Sequence, residues 1–130
     1  MLVLTIRTDN PEAEIGLYED DKKLDYYTWH AHRELSVTLL QKIQDILVKN
    51  HKQLSDIEGT VGFAGPGSFT GLRIGLTVVN TLGYGLQVPV VATQGEDRIA
   101  QGITKLTNGE RDAIALPEYG APVHITQQKK

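Results

Sequence analysis

The chain has 130 residues, 40% of them hydrophobic and 22% charged, a formal net charge of −3 and no cysteine. This predicts one domain with one sizeable core and excludes a disulfide framework or a thiolate metal site. The acidic balance argues against a surface that attracts nucleic acid. No apolar run approaches a membrane span, and the opening MLVLTIRTDN lacks the pattern of a secretory signal, so a cytoplasmic location is expected.

Leu2 to Ile6 reads as a buried strand. Asp9-Asn10-Pro11 is turn chemistry, Ile15 to Tyr18 reads as a second strand, Asp20-Asp21-Lys22 as a hairpin turn without the usual glycine, and Leu24 to Trp29 as a third strand. A helix is predicted from about Arg33 to Lys49, with Leu35, Leu39, Leu40, Ile43, Ile46 and Leu47 on one face and Asn50 able to end it. Val61 to Ala64 is a fourth strand, Phe69 to Leu86 a second helix, Val88 to Ala92 a fifth strand and Glu96 to Leu106 a third helix. The order βββαβαβα predicts a mixed five-stranded sheet with helices packed on it, an α/β half-domain of the ribonuclease-H-like or actin-like kind. Residues 1–106 form that domain, 107–116 a linker and 117–130 a tail.

The most specific segment is Gly65-Pro66-Gly67-Ser68-Phe69-Thr70-Gly71-Leu72-Arg73-Ile74-Gly75-Leu76, a glycine-rich turn that opens the second helix. Ser68 suits an N-cap, and free N–H groups at such a start can take a phosphate or carboxylate. That makes Gly65, Gly67, Ser68, Phe69 and Thr70 a candidate anion loop. It is neither a Walker A loop nor the dinucleotide fingerprint, and a plain tight strand-to-helix connection is the other reading.

The second helix carries Leu72, Ile74, Leu76, Val78, Val79, Leu82 and Leu86 over roughly 200° of the wheel. Gly71 and Gly75, one turn apart, each cost about 1 kcal/mol inside a helix, which close approach of another helix would explain. That helix is either the first helix of the same chain or one from a partner. The candidate partner face is therefore Leu35, Leu39, Leu40, Ile43 and Leu47 of the first helix with Gly71, Leu72, Arg73, Gly75, Leu76 and Val79 of the second.

The run GPGSFTGLRIGL resembles the hallmark of the TsaB, or YeaZ, group of the glycoprotease-like family within the actin-like ATPase superfamily. Leu4-Thr5-Ile6, Arg33-Glu34-Leu35-Ser36 with Leu39-Leu40, Leu54-Ser55-Asp56-Ile57 and Val88 to Thr93 agree in register, so the likeness covers about residues 1–100. The resemblance implies a non-catalytic subunit that pairs with a TsaD-like catalytic protein through its two helices. It implies help in transferring threonylcarbamoyl to the adenosine beside the tRNA anticodon, with a TsaE-like ATPase in the same assembly and self-pairing through the same face. No cofactor, no membrane and only indirect contact with tRNA are expected.

Two departures from the pattern stand out. Arg7-Thr8 occupies the place where the family commonly has Asp-Thr, and an arginine cannot ligate a cation. Leu35 stands where a histidine is frequent, so no metal site is expected. The tail from Pro117 to Thr126 looks like the family's C-terminal end, which suggests a minimal form with the second domain lost.

Other residues carry less. His30 and His32 share a strand face without an evident third ligand, Asp9, Asp20 and Asp21 are turn carboxylates, and no role follows for His124. Ser68 as a nucleophile lacks both its motif frame and a histidine partner. Arg73 suits an acidic partner residue, a tRNA phosphate or solvent equally. The competing functions are an independent actin-like ATP-binding enzyme using the Gly65–Gly71 loop, and a peptidase, which no triad or zinc motif supports.

Overall fold

The computed structural model describes residues 1–31, 35–65 and 69–112. Strands β1 (Leu2–Arg7), β2 (Glu12–Glu19) and β3 (Lys22–His30) form an antiparallel meander, followed by α1 (Leu35–Lys49), β4 (Gly59–Phe63), α2 (Phe69–Leu86), β5 (Val90–Thr93) and α3 (Arg98–Thr107). The sheet order is β3-β2-β1-β4-β5, with β1 parallel to β4 and β4 parallel to β5. The expected order of elements is the observed one. β2 begins earlier than expected because buried Ala13 pairs with Trp29 across the hairpin. β5 begins at Val90 because Pro89 has no N–H to give the ladder, although its carbonyl accepts from Thr60 at 3.1 Å. The β2–β3 turn closes at the Glu19–Lys22 pair with Asp20 at φ 54°, a left-handed conformation that aspartate tolerates better than most residues.

Strand alternation divides the core in two. Leu2, Leu4 and Ile6 of β1 and Ala13, Ile15 and Leu17 of β2 point to one face, where α1 contributes Leu35, Leu39, Ile43, Ile46 and Leu47 and α2 contributes Leu76 and Val79. Val3, Tyr18, Val61 and Val91 point to the other, under Ile103 and Leu106 of α3. Both long helices thus lie on the same side of the sheet. The residues after α3 do not hang free: the Asp112 N–H donates to the Val90 carbonyl at 2.8 Å, and its carboxylate accepts the Ala92 N–H at 2.7 Å. The expected linker therefore begins by covering the outer edge of β5. The expected tail, residues 117–130, lies outside the described residues.

α1 ends in a built stop. Lys52 N–H reaches the Leu47 carbonyl at 2.8 Å across His51, whose φ is 59°, a Schellman-type closure with histidine in the place glycine usually takes. Asn50 Nδ2 donates to the Ile46 carbonyl at 2.7 Å and to Asp25 Oδ2 at 2.9 Å, tying the helix end to β3. That bond, the N–H of Tyr26 and the nearby Lys49 hold the Asp25 carboxyl below its ordinary range. An acid with a depressed folded pKa stabilises above its unfolded pKa and loses that contribution as pH falls. Asn50→Ala is expected to cost about 1 kcal/mol at pH 7, and urea titrations should show the deficit shrinking below roughly pH 4 as Asp25 protonates in both proteins.

Thr60, at the foot of β4, is fully buried, and its Oγ1 has no hydrogen-bond partner among the described residues. A buried hydroxyl without a partner forfeits its hydration for nothing. Thr60→Val keeps the shape and removes the hydroxyl, so it should raise the unfolding free energy by about 1 kcal/mol, read as a higher urea midpoint at unchanged slope.

Candidate functional site

The carboxyl ends of β1 and β4 meet beside the start of α2, where open parallel sheets bring their ligand-binding loops together. Phe63 ends β4, Gly65 follows with φ 109°, and α2 starts at Phe69. Gly67 and Ser68 lie outside the described residues; Thr70 is exposed and Gly71 half-buried. The Thr8 hydroxyl donates to the Gly71 carbonyl at 2.6 Å and so fixes the first turn of α2 to the end of β1. A Cβ at Gly75 would sit 2.2 Å from Thr8 Oγ1. The reason for that glycine is therefore a strand end, and the expectation of a helix packed against it is corrected.

On the α3 side of the same sheet end the charges are already spent. Arg7 donates from Nε to Asp9 Oδ1 at 2.6 Å and from Nη2 to Oδ2 at 3.2 Å, and its guanidinium lies 4.2 Å from the centre of the Phe63 ring. The bond to Asp9 pushes the guanidinium pKa above its ordinary value. Arg98 pairs with Glu14 at 3.3 Å and with the Tyr26 hydroxyl at 3.1 Å, while Tyr26 donates to Glu14 at 2.5 Å. Burial, then that carboxylate, raise the Tyr26 phenol far above its usual pKa. The space left among Arg7, Tyr26, Phe63 and Arg98 is about 10 Å³, room for one water at most. Among the described residues that space is too small for a phosphate group.

The opposite side of the β1 end has more room. A groove of about 260 Å³ is lined by Thr8, Asn10, Pro11, Ala31, Leu35, Thr70, Gly71 and Ile74, none of them charged. A larger hollow of about 860 Å³ lies away from the glycine loop, between the C-terminal half of α2, the β5 edge and Arg111-Asp112. Among the described residues no cluster of three or more His, Asp or Glu could hold a metal ion, and no helix is long and apolar enough to cross a membrane. His30 is exposed at the end of β3, and His32 lies outside the described residues.

The candidate partner face divides differently from the sequence pattern. Leu35, Leu39, Ile43, Leu47, Leu72, Leu76 and Val79 are 0–7% exposed and Gly75 is buried, all inside the chain's own core. Of the eleven residues only Leu40, at 56%, and Arg73 are exposed. The apolar arcs are wide because five strands at about 4.8 Å spacing offer a face broad enough for two helices about 10 Å apart. Each helix covers sheet and flanks its neighbour. Among the described residues the exposed large apolar side chains are Val37 (68%), Leu40 and Val48 (60%) along the outer face of α1, Tyr84 (85%) on α2, and Leu54 (39%) between α1 and β4. The spacing 37, 40, 48 follows a single helical stripe and was readable in the sequence; Tyr84 sits on what the wheel gives as the narrow polar side.

Strand order, parallel pairing and helix placement define a ribonuclease-H-like, actin-like α/β half-domain. RuvC from Thermus thermophilus shares this fold, with a TM-score of 0.51 at 12% identity over 87% of this chain and 83% of that one. The likeness to YeaZ from Pseudomonas aeruginosa goes further: TM-score 0.68 and 28% identity over 83% of this chain and 50% of that one. The TsaB proteins of Escherichia coli and Bacillus subtilis, described as tRNA threonylcarbamoyladenosine biosynthesis proteins, are 31% and 30% identical over 100% and 93% of this chain. The family model described as TsaD, tRNA N6-adenosine threonylcarbamoyltransferase, matches residues 29–107, more than half of the chain. The chain therefore belongs to the TsaD family, on its TsaB, or YeaZ, branch. It spans about half the length of these relatives, 56% and 51%.

Gly75→Ala tests the seat of the hallmark helix. Alanine gains about 1 kcal/mol of helix propensity, but its Cβ displaces the Thr8 hydroxyl from the Gly71 carbonyl. Net destabilisation of about 1–3 kcal/mol is expected, and Thr8→Ser, which keeps the hydroxyl and removes a methyl, should recover part of it in the double variant's thermal melt.

Proposed function

We propose that the chain serves the biosynthesis of threonylcarbamoyladenosine on tRNA as a non-catalytic, cytoplasmic subunit. It binds a TsaD-like catalytic protein through the outer surface of α1 and α2 and touches tRNA only through that partner. A TsaE-like ATPase joins the same assembly, and in isolation the chain pairs with itself through the same surface. The observation that carries the reading is the apolar stripe of Val37, Leu40 and Val48 on α1, more than half exposed at each position. Large exposed side chains aligned on one helix face mark an interaction surface. The non-catalytic part is supported by the end of β1, where Asp9 is held by Arg7 and Glu14 by Arg98, so neither carboxylate stands ready for acid–base or metal chemistry.

A second reading, an ATP-binding enzyme, draws on the groove of about 260 Å³ beside Thr70 and Gly71. The described residues that line it offer neither a cation for the phosphates nor a carboxylate for their metal.

The test is sedimentation of the chain alone and with a TsaD-like protein. Leu40→Glu and Val48→Glu, both at exposed positions, should weaken the complex at least tenfold while leaving the melting temperature within a few degrees. A charge at Leu76 or Val79 would test folding instead, because both are buried. A complex unchanged by Leu40→Glu, Val48→Glu and Tyr84→Ala together defeats the proposal; heat on titrating the chain with ATP and magnesium revives the second reading.

A further inference from the structure

We propose that Asn108-Gly109 is a self-modifying site, where deamidation and isomerisation of Asn108 unfasten the strap that covers the outer edge of β5. The chain has four asparagines, and only this one precedes a glycine. Asn10 precedes Pro11, which has no backbone N–H to react. Asn80 lies inside α2, and the Asn50 amide is tied to Ile46 and Asp25. Asn108 and Gly109 are both exposed, and a Cβ at Gly109 would meet nothing within 4 Å. Together they close α3. Gly109, at φ 82°, gives its N–H to the Leu106 carbonyl at 3.0 Å, and Glu110 gives its N–H to the Lys105 carbonyl at 2.9 Å. These are the paired bonds of a Schellman stop, with glycine at the left-handed position. Two residues further on, Asp112 takes the Ala92 N–H and gives its own to Val90. The strap therefore runs directly from the helix stop to the strand edge.

In the reaction a base removes the Gly109 amide proton, and that nitrogen attacks Asn108 Cγ. The N–Cγ bond forms, the Cγ–Nδ2 bond breaks, and Nδ2 takes up a proton and leaves as ammonia, giving a cyclic imide. Water then opens either imide carbonyl. Cleavage at Cγ yields aspartate; cleavage at the main-chain carbonyl yields isoaspartate, whose backbone runs through Cβ and Cγ and is one carbon longer. Water is the one co-reactant, and glycine favours the attack because no side chain crowds its nitrogen. Either product places a carboxylate at the carboxyl end of α3, where the helix dipole opposes it. The longer backbone also spoils the register of both Schellman bonds. With the stop lost, Asp112 is no longer held opposite Val90 and Ala92, and the backbone groups of the β5 edge open to pairing with another strand. The folded cap restrains the reaction, because the attacking nitrogen is the one whose N–H is held by Leu106. The imide forms when the stop opens locally.

The full chain is aged at mildly alkaline pH, and aspartate and isoaspartate are read at each asparagine by peptide mapping. Conversion at Asn108 is expected to exceed that at Asn10, Asn50 and Asn80, and to run about tenfold faster in urea, where the stop is open. In the purified isoaspartate form, hydrogen exchange should show protection of the Ala92 N–H reduced about tenfold, with the Lys52 N–H at the end of α1 unchanged. Asn108→Gln keeps an amide at this exposed position but closes the imide ring far more slowly, so it should retain Ala92 protection after the same ageing. Conversion at Asn108 no faster than at the other three, or an equal rate in urea and in the folded chain, would overturn the proposal. So would undiminished Ala92 protection in the isoaspartate form, or an equal loss in aged Asn108→Gln.

Discussion

The Thr8 hydroxyl bound to the Gly71 carbonyl at 2.6 Å sets how deeply α2 enters the sheet, and most of the molecule's arrangement depends on that depth. The bond exists because Gly75, one turn later, offers no Cβ to block it. With the helix seated so close, Leu76 and Val79 meet the core side of β1 and β4. Gly75 thus works first as a packing residue, letting α2 start where the central strand stops.

The same sheet end holds its charged side chains in pairs. Arg7 stacks on Phe63 and takes both oxygens of Asp9, a fork geometry that pairs charge and shape at once. Arg98 does the same work for Glu14 and Tyr26. Two cations and two anions cancel over a space too small for more than one water. In this chain the region behaves as a polar cap on the hydrophobic core, rigid because every member has a partner.

Much of the fold was legible because the signals were local. The apolar run from Leu2 to Ile6, the glycine turn and the 3.6-residue period from Leu35 to Leu47 each specify an element without reference to the rest of the chain. The family hallmark from Gly65 to Leu76 was equally plain. What the sequence hid was partnership across elements. Nothing about Arg7 and Asp9 two residues apart says that they clamp each other. Nothing about Asp112 says that it takes the edge of β5. The wide apolar arcs of the helices read as surplus because a helical wheel counts residues and does not know the width of the sheet beneath them. Leu40 was grouped with Leu39 and Ile43 although it falls at the edge of their arc, and that edge decided its exposure.

That outcome moves the argument for a partner from quantity to placement. Most of the apolar surface of α1 and α2 is satisfied internally, and what remains is a narrow stripe with Tyr84 on the neighbouring helix. Burying Val37, Leu40 and Val48 fully would yield about 3–5 kcal/mol, less than the loss of translational and rotational freedom on association, about 4–15 kcal/mol. The stripe alone cannot hold a stable complex. α1 and α2 each return from the carboxyl end of one parallel strand to the amino end of the next, so they run the same way, and Val48 and Tyr84 lie toward the same end of the sheet. A partner that spans both helices gains the aromatic anchor as well as the stripe, along with the threonines and Arg73 that line the outer face of α2. An interface of this kind needs two helices presented side by side at fixed spacing, and the seating of α2 by Thr8 and Gly75 provides that.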